Sequence, residues 1–200
     1  MPFSWPSATE ILPHLYVGSE FDAQDLRFLR QQGFTHILNV ADDVPNYFEE
    51  HFVYCHLPVA DYGQDAGISR VFDEARAFVQ TALAPAPEQS TDSTTDTRRS
   101  AHTDSRAPSP KILLHCAHGC NRSVTVCVAL LMMLHGMRLR RAIQQVTSRR
   151  TVAWIEQDNR LQLMAFEKSL FQGASTVSES DFRGDTTWLD RVSSTDSDDE

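Results

Sequence analysis

The stretch from Lys111 to Gly136 constrains the fold most. Lys111-Ile-Leu-Leu-His115 is an apolar run of strand length, and a helix is predicted from about Ser123 to Leu134, stopping at Gly136. A tight loop joins them. The same alternation recurs along the chain. Ile11, Leu15, Tyr16 and Val17 suggest a short strand pair. Asp22 to Gln32 reads as one helix, with Ala23, Leu26 and Leu29 on one side and Gly33 as its stop. His36-Ile-Leu-Asn-Val-Ala41 and Phe52-Val-Tyr-Cys-His-Leu-Pro-Val59 read as strands, Pro58 marking a frayed end. Val71, Phe72, Ala75, Phe78, Val79 and Leu83 form a helical stripe, as do Leu139, Ala142, Ile143 and Val146. Leu161, Met164 and Ala165, with Leu163, Phe166 and Leu170, mark a last helix. Interleaved strands and helices predict an α/β fold, a central, mostly parallel sheet flanked by helices.

Composition narrows the class. The longest apolar stretch, Val124 to Leu134, has 11 residues, against the ~20 that a membrane span requires. The start, Met1-Pro-Phe-Ser-Trp-Pro6, has neither the basic nor the apolar region of a secretory signal. Four cysteines (Cys55, Cys116, Cys120, Cys127) lack the density of a disulfide scaffold and suit a reducing compartment, the cytoplasm with the nucleus as a second possibility. A net charge of −9 argues against a nucleic-acid partner. Residues 173–200 hold −6 of that charge and read as an acidic, disordered tail. Residues 84–110 carry five Ser, five Thr and four Pro with no large apolar side chain, and read as a disordered insert. The predicted domain is therefore 1–172, interrupted at 84–110. The tail and insert are candidate sites for regulators, and Thr195 and Ser197, each with an acid three residues on, are candidate phosphorylation sites.

The loop between strand and helix carries the chemistry. It reads His115-Cys116-Ala117-His118-Gly119-Cys120-Asn121-Arg122-Ser123. Its backbone N–H groups can converge into an anion nest, to which the helix adds free N–H groups and its positive dipole end. Arg122 supplies a planar fork matched to phosphate oxygens, and Gly119 permits the backbone angles of a tight loop. The same field stabilises a thiolate at Cys116, and a thiolate inside a phosphate cradle is placed to attack phosphorus. Ser123 can hydrogen-bond that sulfur and ease its departure. Ala117, His118, Gly119, Cys120, Asn121 and Arg122 are the expected substrate-binding positions.

This His-Cys-x5-Arg-Ser loop is similar to the signature loop of the cysteine-dependent protein tyrosine phosphatases. Ile11-Leu-Pro-His-Leu-Tyr-Val-Gly-Ser19, Thr35-His-Ile-Leu-Asn-Val-Ala41 and Leu57-Pro-Val-Ala-Asp61 narrow the resemblance to the dual-specificity branch, over about residues 8–172 without the insert. It departs at His118 and Asn121, where that family usually has Ala or Met and Ser or Gly. It also lacks the Pro-Asn pair before the last helix, reading Trp154-Ile-Glu-Gln-Asp-Asn159 instead. The resemblance implies hydrolysis of phosphotyrosine and phosphoserine/threonine in protein substrates. Cys116 is the implied nucleophile and Asp61 the general acid, with Asp65 as its rival. Arg122 and the loop amides would stabilise the phosphoryl oxygens, without a metal or other cofactor. His115 is expected behind the nucleophile, bonding the backbone and tuning the thiolate. The alternative is a catalytically weak phosphopeptide-binding scaffold; an enzyme of RNA 5′-phosphates would want a more basic surface.

Other readings attach to neighbouring residues. Cys55, on a strand expected beside that of Cys116, suggests a peroxide-formed disulfide, and Cys120 a resolving thiol. Cys127 reads as core. His118 reads either as a phosphate contact or as a solvated side chain. His115, Cys116, His118 and Cys120 offer zinc ligands, but one short loop is poorly suited to wrap a tetrahedron. Arg138, Arg140, Arg141, Arg149 and Arg150 read as a solvated basic face, and Trp154 and Phe166 as core.

Overall fold

Apolar runs of four to seven residues supply five strands: β1 (Thr9–Leu12), β2 (Leu15–Gly18), β3 (His36–Ala41), β4 (Val53–Val59) and β5 (Ile112–His115). The computed structural model of the protein describes residues 6–61, 66–84, 109–178 and 181. The sheet order is β1-β2-β5-β3-β4. Among the described residues only the β1–β2 hairpin is antiparallel; β2–β5, β5–β3 and β3–β4 run parallel. All four residues of β5, the middle strand, are buried, as a strand covered on both faces requires. The edge strand β4 tolerates Pro58 within it, because an edge N–H has no ladder partner to lose.

The helices follow the apolar patterning with two differences. The Asp22–Gln32 helix is two: α1 (Glu20–Ala23) and α2 (Leu26–Gln32), with Asp25 breaking them as it accepts a hydrogen bond from Phe28 N–H to start α2. Gly33, at φ 76°, ends α2 as expected. A 3₁₀ turn (Ile68–Val71) leads into α3 (Phe72–Leu83). α4 (Arg122–His135) is buried along most of its length, and α5 (Leu139–Thr147) buries the four expected residues. α6 (Gln157–Phe171) is rotated from expectation. Its buried face is Asn159, Arg160, Leu163, Met164 and Glu167, while Leu161 and Leu170 are exposed. Phe166 is half-buried, its ring edge-on to Phe72 at 5.0 Å.

The polar residue Glu167 explains part of that rotation. Its Oε1 accepts from Arg138 Nε (2.8 Å), Leu139 N (2.8 Å) and Thr176 Oγ1 (2.9 Å), and its Oε2 from Ser175 Oγ (2.7 Å) and Thr176 N (2.8 Å). One carboxylate thus caps the N-terminus of α5 and fastens the chain beyond α6. Val177 enters the main core and Asp181 pairs with Arg140 at 3.3 Å, so the packed chain continues past 172, inside what the sequence reads as tail. Thr195, Ser197 and all but the margins of the 84–110 insert lie outside the described residues.

Burial works to raise the Glu167 carboxyl, but the bonds from Leu139, Ser175, Thr176 and Arg138 outweigh it and hold its pKa below the ordinary 4.5. A carboxyl more acidic in the folded state stabilises the fold above its ordinary pKa, and that contribution fades as pH falls through the folded value. Glu167→Gln would turn an NH2 group toward donors and is expected to cost roughly 2–4 kcal/mol at pH 7. Melting curves of parent and variant should therefore differ by several degrees at pH 7, and the gap should close as pH falls well below the ordinary 4.5. A constant gap across that range would contradict the assignment.

Candidate active site

Three parallel strands end at one edge of the sheet, the usual place for a ligand in an α/β fold. β3 ends into Asp42 and Asp43, β4 leads to Asp61, and β5 into Cys116. The insert joins the opposite end of β5, whose C-terminal end carries the loop.

The loop curls around the Cys116 sulfur. Gly119 N–H points at Sγ from 3.3 Å, and Ser123 Oγ lies 3.3 Å from it. Cys116 is 2% exposed and Ser123 fully buried. Gly119 has φ 69°, and a Cβ there would stand 2.4 Å from Gly18 O. Ala117 O accepts from Glu20 N at 3.0 Å, tying the loop to α1. Ala117 and Cys120 are half-buried, and His118 is exposed.

Arg122, 1% exposed, is anchored through one nitrogen. Its Nη1 donates to Asp42 Oδ1 (3.0 Å), Asp43 Oδ1 (2.8 Å) and Val59 O (3.0 Å). Nη2 is 3.4 Å from Asp61 Oδ2, and the buried Nε has no hydrogen-bond partner. The guanidinium plane is thus set from behind, with the Nε–Nη2 edge available for bidentate contact with an oxyanion. Burial opposes the Arg122 charge, but the Asp43 hydrogen bond and the charges of Cys116, Asp61 and Asp43 outweigh it and raise its pKa. In return the Arg122 hydrogen bond holds the Asp43 carboxyl below its ordinary range, and His118 adds a smaller pull. Sequence reading missed Asp42 and Asp43.

It also misplaced Arg150, which is not part of a solvated face. Arg150 is 1% exposed and lies beneath the loop, donating from Nε to Gly119 O and from Nη1 to Thr9 Oγ1 (3.0 Å) and Ser7 O (3.3 Å). Burial lowers its pKa, while Asp22, Cys116 and Cys120 oppose the drop. Arg138 and Arg140 are engaged with Glu167 and Asp181; Arg141 and Arg149 are exposed, as a surface face would be. His115 sits behind Cys116, fully buried; neither ring nitrogen has a partner of good geometry, but a weaker backbone hydrogen bond with Cys116 acts on the ring, as expected. Burial pushes its pKa down to about 4, so it is a neutral imidazole at pH 7.

The cysteine expectations change with the strand order. β3 separates β4 from β5, and Leu38 pairs with both Cys55 and Leu114. Two strand spacings of ~4.8 Å put Cys55 beyond the ~7 Å Cα separation that a disulfide with Cys116 allows. Burial, with Cys116 and Asp61 adding to it, pushes the Cys120 thiol up to about 11, which disfavours a resolving thiolate at neutral pH. Cys127 is buried in the core, its thiol pushed up to about 12 by burial. Trp154 is 37% exposed rather than core; its backbone N–H donates to Cys120 O at 2.7 Å and its indole N–H to Glu156 Oε1 at 3.0 Å. Asp65 lies outside the described residues.

A Cys-x5-Arg loop between the middle strand of a mostly parallel sheet and a buried helix defines the domain type of the cysteine-dependent protein tyrosine phosphatases. A family model described as dual specificity phosphatase, catalytic domain, matches residues 101–169. Dual specificity protein phosphatase 4 of Homo sapiens is 35% identical over 161 residues, which cover 80% of this chain and 35% of that protein. Dual specificity protein phosphatase 2 of Mus musculus is 36% identical over 143 residues, 72% of this chain and 37% of that one. The chain thus spans about a third of the length of these curated relatives. Among solved structures, human DUSP28 aligns with a TM-score of 0.66 at 24% identity, over 84% of this chain and 97% of that one. Human tyrosine phosphatase-like serine/threonine/tyrosine-interacting protein aligns with a TM-score of 0.64 at 25% identity, over 82% and 98%. By this family model and these relatives, the chain is similar to the dual-specificity phosphatases over most of its length.

Proposed function

We propose that this chain hydrolyses phosphotyrosine and phosphoserine/threonine in protein substrates through a cysteinyl-phosphate on Cys116. The observation that carries the reading is the convergence on one sulfur of Gly119 N–H and Ser123 Oγ, with the unpartnered Nε of Arg122 on the same loop and its Nη2 only in long contact, 3.4 Å, with Asp61 beside it. Cys116 Sγ attacks phosphorus as a thiolate. The bond from phosphorus to the phenol or alcohol oxygen breaks, and that oxygen takes a proton from Asp61. Asp61, now a carboxylate, accepts a proton from the water that attacks the cysteinyl-phosphate. Ser123 donates to the departing sulfur, and inorganic phosphate leaves. The amides of Ala117, His118, Gly119, Cys120 and Asn121, with Arg122, bind the phosphoryl oxygens throughout. Asp42 and Asp43 keep the Arg122 fork in plane.

The loop carries no lysine among its five intervening residues, which favours phosphoprotein over phosphoinositide substrates. No helix of the described residues is long and apolar enough to cross a membrane. A cytoplasmic or nuclear site of action and regulator binding by the insert and tail belong to the same reading.

The test pairs a substrate panel with a leaving-group series. Wild-type protein is expected to turn over phosphopeptides in preference to phosphoinositides. Asp61→Asn is expected to slow aryl phosphates with poor leaving groups by ~10²–10⁴ and those with good ones far less. If Asp65→Asn shows that pattern and Asp61→Asn does not, the acid is Asp65.

A further inference from the structure

The side chain of Asn121 does something its position does not require. It stands at the N-cap of α4, where an asparagine ordinarily accepts a hydrogen bond from the helix's own first-turn N–H groups. Here it makes no such bond. Its Oδ1 instead accepts from Glu156 N (3.0 Å) and from Asn159 Nδ2 (3.0 Å), at the start of α6. Its Nδ2 donates to Asp61 Oδ1 at 2.7 Å. A backbone N–H can only donate and a carboxylate can only accept, so these partners fix which end of the amide faces which way. The residue is 6% exposed, and Asn159 is 7% exposed. One buried amide therefore joins the phosphate-binding loop, the segment after β4 and the N-terminus of α6. Two of its partners, Glu156 and Asn159, lie in the segment that reads differently from the family's usual Pro-Asn.

We propose that Asn121 is a positioning residue for the general acid: it holds Asp61 against the loop and leaves the acid's other oxygen to carry the transferable proton. This rests on the assignment of Asp61 above. Asp61 Oδ1 is engaged by the short bond to Asn121, whereas the contact of Oδ2 with Arg122 Nη2 is long, at 3.4 Å. Since Oδ1 accepts from Asn121, the proton that reaches the leaving group resides on Oδ2. The second anchor, at Glu156 and Asn159, keeps the amide from rotating with the carboxylate. By turning away from its own helix, Asn121 also leaves the first-turn amides of α4 without a side-chain cap and free for an anion.

The experiment is a double-mutant cycle of Asn121→Ala and Asp61→Asn, measuring kcat/KM across aryl phosphates that span leaving-group basicity. Asn121→Ala is expected to lose roughly 10- to 100-fold on poor leaving groups, and several-fold less on good ones. In the Asp61→Asn background it should add no further dependence on the leaving group. Asn159→Ala, which removes one anchor of the amide without touching the loop, should shift the same slope in the same direction but less; it also serves if Asn121→Ala does not fold. An equal loss on every substrate, or a leaving-group effect that persists without the Asp61 carboxyl, overturns the positioning role. If Asp61→Asn itself is indifferent to the leaving group, the acid assignment fails first. If Asp61→Asn responds and neither asparagine variant does, only the positioning role fails.

Discussion

Cys116→Ser is expected to abolish turnover, by on the order of 10⁴-fold or more, while oxyanion binding survives. The sulfur is the only nucleophile at the centre of the loop, and a serine hydroxyl in its place is not ionised at neutral pH. The cradle has anchors other than the contacts of Gly119 N–H and Ser123 Oγ with that sulfur. Arg122 is held by Asp42, Asp43 and Val59, and Gly119 by Arg150, none of which contacts the thiol by hydrogen bond. A serine hydroxyl in the nucleophile's place carries no negative charge toward the anion. Affinity for inorganic phosphate, measured by calorimetry, should therefore be equal to the parent's or tighter. Turnover within about tenfold of the parent would remove Cys116 from the reaction. Loss of both turnover and phosphate affinity would mean that the sulfur shapes the loop as well as reacting in it.

The candidate site was legible where it is contiguous. Cys116, Gly119, Arg122 and Ser123 fall within eight residues, and a strand before them with a helix after them determines how the backbone must turn. The residues that steady this loop were not legible, because their partners are remote. Arg150 reaches Gly119, Thr9 and Ser7, and its composition class predicts a solvated side chain. Asp42 and Asp43 look like ordinary loop acids until β3 is known to lie beside β5. The failed Cys55 pairing has the same origin. Strand type is written in local periodicity, but strand order is a tertiary property, and here β5 inserts between β2 and β3. The rotation of α6 has a different cause: apolar periodicity cannot see a buried face that includes Asn159, Arg160 and Glu167.

Gly119→Ala should then do more damage than its one carbon suggests, and Gly33→Ala separates the reasons. Both glycines have φ near the left-handed region, 69° and 76°, so both substitutions carry the same backbone strain, about 1–2 kcal/mol. At Gly33 a Cβ meets nothing within 4 Å, and strain is the whole cost. At Gly119 it would lie 2.4 Å from Gly18 O, 2.5 Å from Arg150 Nη2 and 2.6 Å from Gly18 C. Neither neighbour can give way easily. Gly18 is in β2, paired with His115 of β5, and Arg150 is buried with Gly119 O as its partner. The loop must therefore move outward, which withdraws Gly119 N–H from the sulfur and turns neighbouring amides off the phosphoryl oxygens. Losing one such donor costs on the order of 10²–10³ in rate. Gly119→Ala is expected to lose at least that much kcat/KM on aryl phosphates and to melt several degrees lower than the parent. Gly33→Ala should melt a few degrees lower with its kcat/KM intact. Equal activity in the two variants would mean that the close approach of Gly119 to β2 is not what shapes the phosphate cradle.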